Sequence, residues 1–239
     1  MTTREPLDVI DAIFSTRAMR YLKPDPIPDE VLWAVLDAAI RGPTGGNMQS
    51  WAWIVVTDSD KRQAIGRWYR QGIEASYGGR MEEASDSGRV MAAKGMAPTS
   101  PEIGLDRKNY LAVMHLAEHF EQVPALVYGV LPEVRRRSND PNAAFMNGVL
   151  SAGPILGAVQ NLMLAARAHG VGTVLNSGGA VHNHEELRQL LKLPEGSIVC
   201  ACVALGYPAK GSFSTPKRRP IEELTHWEGW GKQRTRPNA

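Results

Sequence analysis

Two short segments of this chain carry side chains that could do chemistry. The first is Pro43-Thr44-Gly45-Gly46-Asn47-Met48-Gln49-Ser50-Trp51. A turn this rich in glycine and amide side chains, between two buried elements, brings backbone and amide donors close to something planar and polar. The second is Thr16-Arg17-Ala18-Met19-Arg20, with two guanidinium groups three positions apart. Two more segments lie downstream. Gly170-Val171-Gly172-Thr173-Val174-Leu175-Asn176-Ser177-Gly178 is an apolar run that ends in a glycine turn, and Leu205-Gly206-Tyr207-Pro208 precedes Lys217-Arg218-Arg219-Pro220-Ile221-Glu222-Glu223. The chain holds no Ser-His-Asp or Cys-His arrangement for nucleophilic catalysis.

The elements that must position these segments follow from periodicity. Leu7, Val9, Ile10, Ile13 and Phe14 recur at helical spacing up to the arginine turn. Pro24, Pro26 and Pro28 enforce an extended connector, and Asp29 is the expected N-cap of a helix with a buried stripe through Ile40. The glycine-amide turn then leads into an expected strand over 52–57. Asp58 or Ser59 caps a helix through Ile73, and Asp106 opens another through Phe120. A second strand is expected over 124–131. Residues 151–169 read as a helix apolar on more than one face, hence central and heavily buried, and Gly170 suits the left-handed position that ends it. A strand over 171–175 and the Ser177-Gly178-Gly179 turn follow. Asn183 and Glu186 match a capping box before a helix through Leu191, and 197–206 is the last strand. Helices and strands intermingle without regular βαβ alternation, which predicts an α+β fold with one central sheet covered by helices.

Composition narrows the rest. With 239 residues, 43% of them hydrophobic, the chain suffices for one large domain, and no linker divides it. The 27 basic and 25 acidic residues leave a net charge of +2, which gives no argument for nucleic acid or membrane binding. No apolar run is expected to reach the length of a membrane span. Cys200 and Cys202 are expected to share one strand face, cannot satisfy disulfide geometry, and lack partners for a metal site, so they read as buried small hydrophobes. With no basic-then-apolar leader, a reducing, cytoplasmic location is expected. Arg135, Arg136 and Arg137 read as a solvated loop or as a contact for a phosphorylated nicotinamide. His182 and His184 read as solvated. Trp68, Tyr69 and Tyr77 are either core or the border of a ligand face. Residues 78–106 lack a clear pattern and are expected to form a lid, with Met81, Met91 and Met96 as adaptable apolar contacts.

Together the four segments, in this order, resemble the FMN-dependent nitroreductase family, NAD(P)H-dependent oxidoreductases. One departure is Ser50, where the family usually has Pro. The resemblance implies a three-layer fold, its central sheet mainly antiparallel and flanked by helices. It implies that the arginine turn and Arg218 hold the FMN phosphate, that the glycine-amide turn faces the isoalloxazine ring, and that the 176–178 turn offers N–H groups to flavin N5 and O4. The implied cofactor residues are Arg17, Ala18, Met19, Arg20, Pro43, Thr44, Gly45, Asn47, Gln49, Asn176, Ser177, Gly178 and Arg218. Guanidinium forks suit a phosphomonoester dianion. No catalytic side chain is implied, since the chemistry belongs to flavin N5.

The same resemblance implies ping-pong electron transfer from NADH or NADPH to a nitroaromatic or quinone-like acceptor. It implies an intertwined homodimer in which residues 207–239, with Trp227 and Trp230, wrap the partner. The alternatives are a dehalogenase-like or flavin-fragmenting member of the fold, and a flavin-binding sensor or store without turnover.

Overall fold

The computed structural model describes residues 7–78, 107–133 and 140–236. Apart from Gly78, the expected lid lies outside them, as do Asp106 and the Arg135-Arg136-Arg137 run.

The helices are α1 (Val9–Ser15), α2 (Asp29–Ala39), α3 (Ser59–Tyr77), α4 (Arg107–Glu118), α5 (Pro141–Ala168), α6 (His184–Leu190) and the single turn α7 (Ile221–Leu224). The strands are β1 (Ala52–Val56), β2 (Ala125–Leu131), β3 (Gly172–Asn176) and β4 (Ile198–Gly206). They form one sheet in the order β1-β2-β4-β3, with every pairing antiparallel. This is the predicted α+β arrangement.

All seven residues of β2 are buried, and their alternation divides the interior into two cores. Ala125, Val127 and Leu131 join Val203 and Leu205 against Leu32 and Val35 of α2 and Ile155, Val159 and Leu162 of α5. On the opposite face Leu126, Tyr128 and Val130 join Cys202 and Ala204 against Ile65 and Tyr69 of α3, Leu116 of α4 and Leu187 of α6. Gly129 explains how closely α5 approaches. A β-carbon there would sit 2.6 Å from Ile155 Cγ2 and 3.2 Å from the Trp53 ring.

Several local expectations are corrected, among them the shared face of Cys200 and Cys202, since half-buried Cys200 packs against one core and buried Cys202 lies in the other. Asp29 is the first helical residue of α2, and Pro28 takes the cap position without a side-chain bond. Asn183 precedes α6 but makes no capping bond, so the capping box does not form. Helix α5 begins at Pro141, ten residues before the apolar pattern suggested, with the Asp140 carboxylate accepting the Asn142 N–H. Nor is it buried all round. Within 151–169, Ile155, Ala158, Val159 and Leu162 face the sheet while Leu156 is 48% exposed, and in the added first turns Phe145 and Leu150 are 70% and 67% exposed. By length and composition its Phe145–Ala168 portion also passes as a membrane span, against the expectation from the sequence. The inner face of that helix packs as a core helix does. Gly170 does adopt the left-handed conformation, at φ 73°.

Replacing Leu162, fully buried on α5, by Ala should lower unfolding free energy by about 2–5 kcal/mol, measured as a urea midpoint shift. A second expectation concerns pH. Burial pushes the Cys202 thiol up to about 12 and raises the Tyr69 and Tyr128 hydroxyls above their ordinary range. In the unfolded chain these groups ionise earlier, so above about pH 9 the folded state binds more protons. Stability should therefore fall as pH rises from about 9 towards 12, and urea midpoints across that window should decline steadily.

Candidate functional site

The glycine-amide turn is strained. Residues Gly45–Asn47 form one 3-10 turn, in which Thr44 C=O accepts the Asn47 N–H at 3.0 Å. Gly46, Asn47 and Gln49 take φ of 58°, 54° and 48°. Asn tolerates this region, but Gln does so only at a cost of order 1–3 kcal/mol, the kind of strain that collects at ligand sites. Thr44 Oγ1 accepts the Gln49 N–H at 3.3 Å and so pins the turn. Thr44, Gly45, Met48 and Gln49 open onto a cavity of about 990 Å³, whose far wall is Asn147, Leu150, Ser151 and Pro154 of α5. Pro43 and Asn47 are exposed beside it.

The arginine turn lies at the other end of the sheet. Ala18 bridges Thr173 in parallel, and the Met19 N–H donates to Thr173 C=O at 2.9 Å. Met19 then turns its side chain into the core, 4% exposed, against Gly172, so only its backbone borders the site. Ala18 is exposed. The two guanidinium groups point to different neighbours. Arg17 Nε donates to Ser212 C=O at 3.2 Å, whereas Arg20 lies beside Tyr69 and Tyr77 of α3. Burial lowers the Arg20 pKa, and among the described residues no acceptor pairs with it. A cation drawn out of water without a counter-ion carries a desolvation cost that an anion beside it would offset. Tyr69 is core, stacked on Phe120 with centroids 4.0 Å apart.

The 176–179 turn closes on itself. Asn176 donates through Nδ2 to Val174 C=O at 3.0 Å and accepts the Gly178 N–H on Oδ1 at 2.7 Å. Its amide therefore braces the turn, and the Gly178 N–H expected to face a ligand is already bonded. Ala180 N–H closes the turn on Ser177 C=O at 2.9 Å. Ser177 itself, half-buried, keeps its N–H and hydroxyl without an acceptor among the described residues.

The C-terminal segment is tied to its own chain only at first. Lys23 N–H donates to Tyr207 C=O, Ala209 N–H to Tyr21 C=O, and Phe213 lies under Arg167 at 4.0 Å. Beyond it the hydrogen bonds among the described residues are local. Arg218 Nη1 donates to Lys217 C=O, Arg234 stacks on Trp227, and Trp230 is 91% exposed.

Within one chain, then, the arginine turn and the glycine-amide turn lie apart, and Arg218 bonds only to its neighbour Lys217 among the described residues. Ala18 lies beside Thr173, level with Ala125 at one end of β2, and the glycine-amide turn enters β1 opposite Val130. The gap is roughly 17 Å along the strands and about 19 Å across them. Neither Arg17, Arg20, Arg218 nor the 176–178 turn lines the cavity. Of the α5 residues on its far wall, Asn147 and Leu150 precede the helix expected over 151–169, while Ser151 and Pro154 lie inside it and carry no chemical signal in the sequence.

Similarity to known proteins completes the description. The chain is 28% identical over 226 residues to "NADH dehydrogenase" of Thermus thermophilus, covering 92% of this chain and 96% of that one. It is 28% identical over 209 residues to "Iodotyrosine deiodinase" of Danio rerio, covering 87% of this chain and 63% of the other. A crystal structure of a nitroreductase with bound FMN from Bacteroides fragilis superposes with a TM-score of 0.58 at 21% identity, over 93% of this chain and 100% of that one. Residues 13–207 match the profile described as the nitroreductase family, and the chain belongs to that family.

Proposed function

We propose that this protein is an FMN-dependent oxidoreductase, drawing electrons from NADH or NADPH and delivering them to a nitroaromatic or quinone-like acceptor. The carrying observation is Arg20, a desolvated cation with no counter-ion among the described residues, in the segment of a nitroreductase-family chain where a phosphate is expected. The donors fit the cofactor's two ends. Arg17, Arg20 and Arg218 would hold the phosphate, with Ala18 and the Met19 backbone beside them. Thr44, Gly45, Asn47 and Gln49, with Pro43 at their edge, would face the ring, and Ser177 would offer the donors of its turn. When bound, FMN supplies hydride acceptance from the nicotinamide and electron transfer to the acceptor.

The chain's own residues do the rest. The guanidinium groups match the dianion's charge. The strained turn holds amide donors in place in advance, which is how a site favours charge that develops later. Apolar walls such as Ile155 and Trp51 exclude water, which strengthens those donors.

Because one chain separates the arginine turn from the glycine-amide turn, we infer that a second copy completes the site. The exposed apolar side chains of α1 and α5 support this reading. Val9, Ile10 and Phe14 are more than half exposed, as are Phe145 and Leu150, which suits a protein partner better than solvent. The arm beyond Phe213, with Trp230 nearly bare, is the segment free to wrap that partner. Two free cysteines suit a cytoplasmic location.

A second reading, reductive dehalogenation, is favoured by the relative named iodotyrosine deiodinase. Turnover separates the readings. Bound flavin reduced by NADPH and reoxidised by a nitroarene supports the first, reoxidation by a halogenated phenol alone supports the second, and no reoxidation means storage.

Arg20→Ala should weaken FMN binding at least tenfold, since removing one partner of a charged hydrogen-bonded pair costs roughly 2–5 kcal/mol. Fluorescence titration reads this directly, and an unchanged Kd with full flavin content would sink the phosphate assignment. Truncation after Tyr207 removes both the arm and Arg218. It should yield monomer with little flavin by light scattering and absorbance. A truncated dimer that keeps its flavin would contradict the shared site.

A further inference from the structure

Tyr128 is one of the largest side chains wholly out of water, and the family resemblance gives it no role. It stands in the middle of β2, paired with Cys202 of β4 and Ile54 of β1. Its hydroxyl lies within reach of the buried Cys202 thiol. It donates to the Gly178 carbonyl at 2.9 Å. Burial raises its pKa, so the hydroxyl keeps the proton it donates.

Gly178 is held from every side. Its N–H goes to Asn176 Oδ1 at 2.7 Å and its C=O to Tyr128. Its φ is 56°, and a β-carbon there would lie 2.7 Å from Cys202 Cβ, Cys202 Sγ and Tyr128 Cε1 alike. Both peptide planes that flank Gly178 are therefore fixed, one by Asn176 and one by Tyr128. Among the described residues the Ser177 N–H and hydroxyl have no partner, nor has the Gly179 N–H, and of these Ser177 is the half-buried residue while Gly179 is buried. A buried tyrosine that fixes a glycine in the left-handed region, behind a residue with donors to offer, is built to aim those donors.

We propose that Tyr128 is a positioning residue for the cofactor. By donating to the Gly178 carbonyl, it locks the turn that presents the Ser177 donors to the flavin ring, and it thereby sets how strongly the site prefers reduced over oxidised FMN. This rests on the reading of the chain as an FMN protein. The reduced ring carries more electron density at its polar edge, so a fixed donor favours it over the oxidised form. A loosened donor turns to water and the difference shrinks.

Tyr128→Phe removes the hydroxyl and keeps the ring. FMN titration of the wild type comes first, and failure to bind there overturns the underlying reading before any variant is made. In the variant, oxidised FMN should bind within about threefold of wild type. The midpoint potential of bound FMN should become more negative by about 30 mV, a tenfold loss of preference for the two-electron-reduced form. A tyrosine with a merely structural role would lower the melting temperature and leave the potential alone. The matched control is Tyr110→Phe, which deletes another buried hydroxyl bond, 3.0 Å to Tyr77 C=O, away from the turn. An unchanged potential in folded Tyr128→Phe overturns the proposal, as does an equal shift in the control. Should Tyr128→Phe fail to fold, Asn176→Ala releases Gly178 from its other side. There a shift of the same sign supports the clamp, and an unchanged potential overturns it.

Discussion

Everything in this molecule hangs on a central strand that no water touches. Because β2 is buried on both faces, its backbone groups must be satisfied by β1 and β4, and its side chains must be matched by helices above and below. The two cores follow from that single requirement. So does the position of each functional segment, since the glycine-amide turn is the entry to β1 and the arginine turn is laid against β3. Gly129 and Tyr128, neighbours on β2, show the two uses of such a strand. One gives up its side chain so that α5 can approach, and the other extends a hydroxyl through the opposite core to a surface turn.

The fold was legible where periodicity and burial agree. The strands over 52–57, 124–131 and 197–206 are continuous apolar runs, and the structure makes them strands because both faces of the sheet are covered. Legibility failed where tertiary contact overrides local chemistry. Asn183 has a capping side chain, yet no bond forms, because its own backbone sits at φ −128° and ψ 45°. The start of α5 was hidden for another reason. Phe145, Met146, Val149 and Leu150 point outward, so no stripe toward the core marks those turns.

The sequence offers candidate site residues as a list, and their places in the molecule come only from the structure. Arg17 and Arg20 share a motif, but an extended backbone sends their side chains to different neighbours, one to the Ser212 carbonyl and one to the α3 tyrosines. Asn176 looked like a ligand donor, and the structure gives it the task of bracing its own turn. Tyr128 could not be found from spacing at all, because its partner lies fifty residues away in the chain.

The order of the sheet also governs how the chain finds its structure. No neighbouring strands are joined by a tight hairpin. The connections from β1 to β2 and from β2 to β4 each span roughly seventy residues, so the central pairings close large loops before they gain anything. During synthesis β2 has its inner partner only once the segment through Gly206 has emerged. Until then its apolar side chains, and the unpaired edges of β1 and β2, are exposed to any other chain nearby. The same topology that seals the native centre makes the nascent chain slow to close and dependent on being kept from its neighbours.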